Sequence, residues 1–158
     1  MILLIPTGLF IASLTQNAFT TEYMKEEGPT QAIDIFIMGP TLIAGGALME
    51  WLTWMANPLA FVAAYRFFVS TSEKQFYKKY EKFRSSIVLS ICASIIAFSF
   101  SFWHEVLGNE AGAMSPIVSF DLGYWLWASG FYTLTIGILL FAAIYKFPKQ
   151  EKDWPFSK

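Results

Sequence analysis

Tyr124–Lys146 reads YWLWASGFYTLTIGILLFAAIYK, 23 residues in which no charge occurs before Lys146. Aromatic residues open it (Tyr124, Trp125, Trp127), tyrosine and lysine close it, and it has no polar face. At about 1.5 Å of rise per residue such a helix crosses a hydrocarbon core of roughly 30 Å. Backbone groups in lipid must satisfy one another, so the segment is expected to be helical. The sequence therefore predicts an integral membrane protein.

Composition points the same way. Hydrophobic residues make up 55% of the chain, aromatics 18% and charged residues 15%, whereas an ordinary soluble domain is about 25% charged. The 158 residues suit one domain of a few spans, without a separate soluble enzyme. Cys92 is the single cysteine, which excludes an internal disulfide and any CxxC motif, and in an apolar helix it reads as a small packing residue.

Four segments are apolar enough to span: residues 2–19, 51–69, 85–103 and 124–145. No positive charge precedes the first and no small-x-small cleavage site follows it, so it reads as an uncleaved helix. The expected fold is all-α, an integral-membrane four-helix bundle. Lysine and arginine orient it. Residues 72–84 hold five bases, the tail adds Lys146, Lys149, Lys152 and Lys158, and Arg66 lies at the same end, for about +6 net. The opposite loops carry Lys25 against Glu22, Glu26, Glu27, Asp34, Glu50, Glu105, Glu110 and Asp121, about −7 net. Both termini are thus expected in the cytoplasm. Trp51, Trp54, Trp103, Trp125 and Trp127 fall near the outer ends of the segments, as an aromatic belt would. Residues 35–49 are apolar but interrupted by Gly39-Pro40 and Gly45-Gly46. They are either a re-entrant or interfacial helix or the start of a long, kinked second helix.

The candidate residues fall into two sets. Ser86, Ser90, Ser94 and Ser101 recur at helical steps in the third segment, and Gly130 and Gly137 share a face of the fourth. Small residues let helices approach closely in lipid, and packing is the reading favoured over a hydroxyl-lined path. Asn57-Pro58 reads as a kink, with Asn57 serving the carbonyl that proline leaves free. The second set is an outer surface of Glu50, Trp54, His104, Glu105, Glu110, Asp121 and Trp127. If the helix ends converge, one histidine with carboxylates can ligate a divalent cation or titrate as a switch. The plainer reading, solvated loop acids and helix-end anchors, takes precedence. No HExxH motif, nucleophile elbow or phosphate loop is present, a lone histidine excludes bis-histidine haem, and no cofactor is expected. The basic, aromatic stretch 72–84 reads as a segment lying on anionic lipid headgroups, and nucleic acid is not an expected partner.

Two stretches add a resemblance. WLTWMANPL at residues 51–59 and NEAG at 109–112 followed by GYWLW at 123–127 resemble patterns in small, uncharacterised bacterial inner-membrane proteins with four predicted spans. The likeness runs from Gly45 to Gly130 and implies a bacterial cytoplasmic membrane, with no catalytic residues carried across.

The expected function is non-enzymatic: a small membrane interaction or accessory subunit presenting an acidic, tryptophan-rich outer surface to another membrane protein or to a second copy. The alternative is an oligomeric channel or transporter with serines along its path and outer carboxylates attracting cations. A membrane enzyme using His104 and the outer carboxylates is the third reading.

Overall fold

The computed structural model describes residues 2–23, 26–108 and 113–144, and its architecture is mixed α/β, not the all-α four-helix bundle expected from hydropathy. The described elements are α1 (Leu4–Leu14), β1 (Asn17–Tyr23), β2 (Glu26–Gln31), α2 (Ala32–Met38), α3 (Leu48–Trp54), α4 (Ala56–Ser72), α5 (Phe76–Phe100), β3 (Glu105–Leu107), β4 (Met114–Phe120) and α6 (Leu122–Ile144). A 3-10 turn covers Gly39–Thr41.

The acidic connections expected to be loops build an antiparallel sheet in the order β2-β1-β4-β3. Threonines suit β1, and Phe19 sits opposite Phe120 of β4. The edges are protected against further pairing: β2 carries two glutamates, Gly28 and Pro29, and β3 is only three residues long. Beneath the sheet, Phe100 packs against Phe19, Phe120 and Tyr124 with ring centroids 5.8, 5.6 and 5.8 Å away. The sheet therefore caps one end of the helices, where α1 and α5 finish and α6 begins.

The expected spans change in number and extent. Among the described residues two helices are long and apolar enough to cross a membrane, Tyr77–Phe100 and Leu122–Ile144. The first segment stops at Leu14, where the Ser13 and Thr15 hydroxyls bond back to the Phe10 and Ala12 carbonyls and the chain turns into β1. The second is divided at Met55 into α3 and α4. The third begins at Phe76, so most of the stretch read as surface-lying is the first part of α5. Residues 35–49 are neither one re-entrant helix nor a continuation of the second: α2 and the 3-10 turn lead through a bend at Gly46, whose φ of 85° suits glycine, into α3.

Packing joins α4 to α5, α1 to α6 and α5 to α6. Their contacts use small residues: Ala60 and Ala63 on α4, Ala93 and Ala97 on α5 and Ala128 and Gly130 on α6 are all buried. Cys92, expected to pack, is exposed. At the end remote from the sheet, Phe67, Phe83 and Phe141 stack together. There Lys82 donates to Glu73 at 2.7 Å and holds its carboxyl below the usual range.

Two expectations follow. A Cβ at Gly123 would stand 2.5 Å from the backbone oxygen of Asn17, whereas one at Gly8 meets nothing within 4 Å. Gly123→Ala is expected to cost about 1–3 kcal/mol through overpacking, while Gly8→Ala gains up to roughly 1 kcal/mol of helix propensity. Equal stabilities of these variants in detergent denaturation would contradict the α6–β1 approach. For Glu73 the folded pKa is lowered, so its contribution exists above the unfolded value of 4.5 and is lost as pH falls through the folded one. The small stability gap between the native chain and Glu73→Gln at pH 7 should therefore close in acid titration below pH 4.5.

Candidate functional site

Where the sheet meets α2, α3 and the start of α6, the chain leaves a cavity of about 520 Å³. Its wall is mostly apolar, with Phe19, Phe36, Phe100, Tyr124, Trp54 and Trp127 supplying the rings. Among the described residues Asp34 and Glu50 are its carboxylates, and none of the lining residues is lysine or arginine. The size and the few convergent polar groups match small-molecule sites, which occupy roughly 300–1,000 Å³.

A small hydrogen-bond network fixes this wall. Pro58 lacks an N–H, so the carbonyl of Trp54, four residues earlier, has no helical donor. The Asn57 amide supplies one: Nδ2 donates to the Trp54 oxygen at 3.0 Å. Its Oδ1 accepts the Trp127 indole N–H at 2.8 Å, which ties α4 to α6. The Trp54 indole N–H in turn donates to the Phe36 carbonyl at 3.1 Å and holds α2 over α3. Gly39 lies directly against the Trp54 ring, where any side chain would collide with the indole. Asn57 itself is buried.

Of the outer residues singled out in the sequence, Glu50, Trp54 and Trp127 line this cavity together with Asn57. Glu50 bridges elements as well, because its Oε1 accepts the Leu107 backbone N–H at 2.8 Å. Trp54 and Trp127 thus turn inward and are not part of an outer belt.

His104, Glu105 and Asp121 are not brought into the cavity. Asp121 accepts the Thr20 hydroxyl at 2.9 Å and the Ser119 hydroxyl at 3.1 Å, just ahead of α6, where a carboxylate suits the positive end of the helix dipole. Glu105 is exposed on β3, and His104 is exposed, its carbonyl accepting the Ile117 N–H at 2.8 Å. Among the described residues no three His, Cys, Asp or Glu side chains are grouped to hold a metal ion. Glu110 lies outside the described residues.

The small residues are engaged within the chain. Ser86, Ser90 and Ser101 donate to carbonyls of their own helix, those of Phe83, Ile87 and Phe98. Ser94 donates to the Phe131 carbonyl at 3.2 Å and shares a 2.9 Å hydrogen bond with Thr135, both on α6. Gly130 lets α6 approach the Pro6 carbonyl of α1, and Gly137 faces Ile2. No buried side-chain nitrogen or oxygen among the described residues lacks a partner.

Sequence reasoning missed Phe36, Gly39 and the strands that roof the cavity. The Gly39-Pro40 break was the available signal: it marks a close approach, and the approaching group is Trp54. Comparison with family models, curated proteins and solved structures finds no match for this chain.

Removing the Asn57 amide leaves a buried carbonyl and a half-buried indole N–H unpaired, at about 1–3 kcal/mol each. Asn57→Ala is expected to lower stability by roughly 2–6 kcal/mol on that basis. In a double-mutant cycle with Trp127→Phe the two losses should overlap by about 0.5–3 kcal/mol. Strict additivity in detergent unfolding would show that Asn57 and Trp127 do not act together.

Proposed function

We propose that this chain is a small, non-enzymatic integral-membrane interaction or accessory protein, and that its acidic sheet is the surface offered to a partner. One observation carries the membrane part of the reading: side chains are distributed inside-out. Alanine, serine and glycine occupy the helix contacts, while Phe68, Ile95 and Leu140 point outward at 61, 62 and 58% exposure. A fold in water hides such residues, whereas helices in lipid expose them and pack through small ones.

Charge supports an orientation. Glu22, Glu26, Glu27 and Glu105 lie on the sheet, whereas Arg66, Lys74, Lys78, Lys79, Lys82 and Arg84 lie around the α4–α5 turn at the opposite end. The positive-inside rule puts the basic end in the cytoplasm with both termini and the sheet outside. The likeness of WLTWMANPL and NEAG…GYWLW to small bacterial proteins favours a bacterial cytoplasmic membrane.

The binding reading is preferred over the others on the geometry of the polar groups. Glu50 and Asp121 hold backbone or hydroxyl donors, and His104 stands apart from the cavity, which gives acid–base chemistry no assembled pair. Ser86, Ser90 and Ser94 bond within or between helices, which leaves little for a hydroxyl-lined ion path. Small residues of α5 and α6 are engaged inside the chain, so the sheet, with its exposed glutamates, is the surface best suited to a basic partner face.

Two measurements test this reading. In a Cys92→Ser background, Glu27→Cys should react with a membrane-impermeant maleimide in intact cells and Lys74→Cys only after permeabilisation. The reverse pattern overturns the orientation. A photo-crosslinking amino acid at Glu27 should then give a discrete heavier adduct in native membranes, and one at Tyr65 on α4 should not; no adduct from the sheet overturns the partner-facing role.

A further inference from the structure

The cavity has a chemistry that the accessory reading does not use. Its indole edges are already occupied: Trp54 donates to the Phe36 carbonyl and Trp127 to Asn57, so neither N–H is free to serve a ligand. What the rings can still offer is their π faces, which carry negative potential and attract cations. Two carboxylates complete the same polarity, Asp34 on the exposed side of α2 and half-buried Glu50 on α3. Glu50 has one oxygen committed to the Leu107 N–H, and among the described residues no basic side chain lines the wall to neutralise it. The remaining lining is apolar, and the cavity lies at the ends of the lipid-facing helices, where an acyl chain and a charged group meet.

We propose that this cavity binds a net-cationic amphiphile, an alkylammonium group held between Asp34, Glu50 and the faces of Trp54 and Trp127, with its apolar chain in the aromatic part of the wall. An ammonium group is also found on phosphatidylethanolamine, but that headgroup brings a phosphate, and among the described residues no lysine or arginine lines the cavity to receive it. Net positive charge is therefore the selected property. An anion meets two carboxylates, and a neutral alcohol gains only the apolar contact.

The full chain in phosphatidylglycerol nanodiscs is titrated with octyltrimethylammonium below its micellar range, with octanol and octyl sulfate as neutral and anionic probes. Binding is read by calorimetry against an Asp34→Asn, Glu50→Gln variant, which removes both charges while a glutamine oxygen still accepts the Leu107 N–H. The expected result is saturable binding of the ammonium probe, at least tenfold tighter than either other probe, and at least tenfold weaker in the double variant with unchanged thermal stability. Equal binding by native chain and variant means partition into the anionic bilayer only and overturns the proposal. Equal affinity for octanol overturns the cation selectivity. Repeating the titration with phosphatidylethanolamine in the discs distinguishes the source: undiminished binding supports a free cationic amphiphile, and competition that abolishes it assigns the cavity to the lipid headgroup and overturns net-charge selection. If the double variant melts earlier, Asp34→Asn alone decides, because the exposed Asp34 side chain makes no hydrogen bond or ion pair among the described residues.

Discussion

Pro58 has no N–H to give, so the Trp54 carbonyl must find a donor elsewhere or remain unpaired in an apolar surround. Asn57 resolves that demand with its own amide and then uses the other end of the same group to accept from Trp127. One side chain thus sets three things together: the break between α3 and α4, the lateral position of α6, and the orientation of an indole in the cavity wall. The second indole follows from the break. Because α3 ends at Trp54, its ring projects toward α2, reaches the Phe36 carbonyl and requires a residue without a side chain at Gly39.

The sheet answers a different requirement. Helices that pack through alanine and glycine make close but narrow contacts, and the sheet ties their ends together. Pairing of β1 with β4 links the end of α1 to the start of α6, and β3 adds the end of α5 to the same ladder. Asp121 reinforces the joint through Thr20 and Ser119. Glu50 does the same for α3 by accepting from β3. Acids read from the sequence as solvated anchors are therefore partly structural, each spanning two elements distant in sequence.

How much was legible depends on which physical signal was strong. The run from Tyr124 to Tyr145 is uniformly apolar, and α6 occupies it within two residues at its start. The same signal overreached in the first segment, because Ala18 and Phe19 are apolar enough to extend a span but their backbone is engaged by the sheet and its edge at Asp121. The strands left little trace. β2, EEGPTQ, is almost wholly exposed, and Pro116 interrupts β4, so neither shows the alternation that marks a half-buried strand. Asn57 was readable because proline states its need locally. The convergence of Glu50 with Trp127, but not with His104, depends on pairing across more than 50 residues and has no local signature.

The inward-facing pair Trp54 and Trp127 has a physical consequence beyond stability. An exposed indole ordinarily gives its N–H to water. Here both N–H groups are turned into the protein, which removes the hydrogen-bonding reason for the rings to face water. What holds them in place is Phe36 above and Asn57 below, and the space between them is left unfilled by side chains. Volume of this size is large enough for water or a small ligand to fill. Hydrogen bonds from Trp54 and Trp127 fix two of its walls, and its Glu50 side is tied to β3 of the sheet. Those features together are the ones on which the proposed cation site rests.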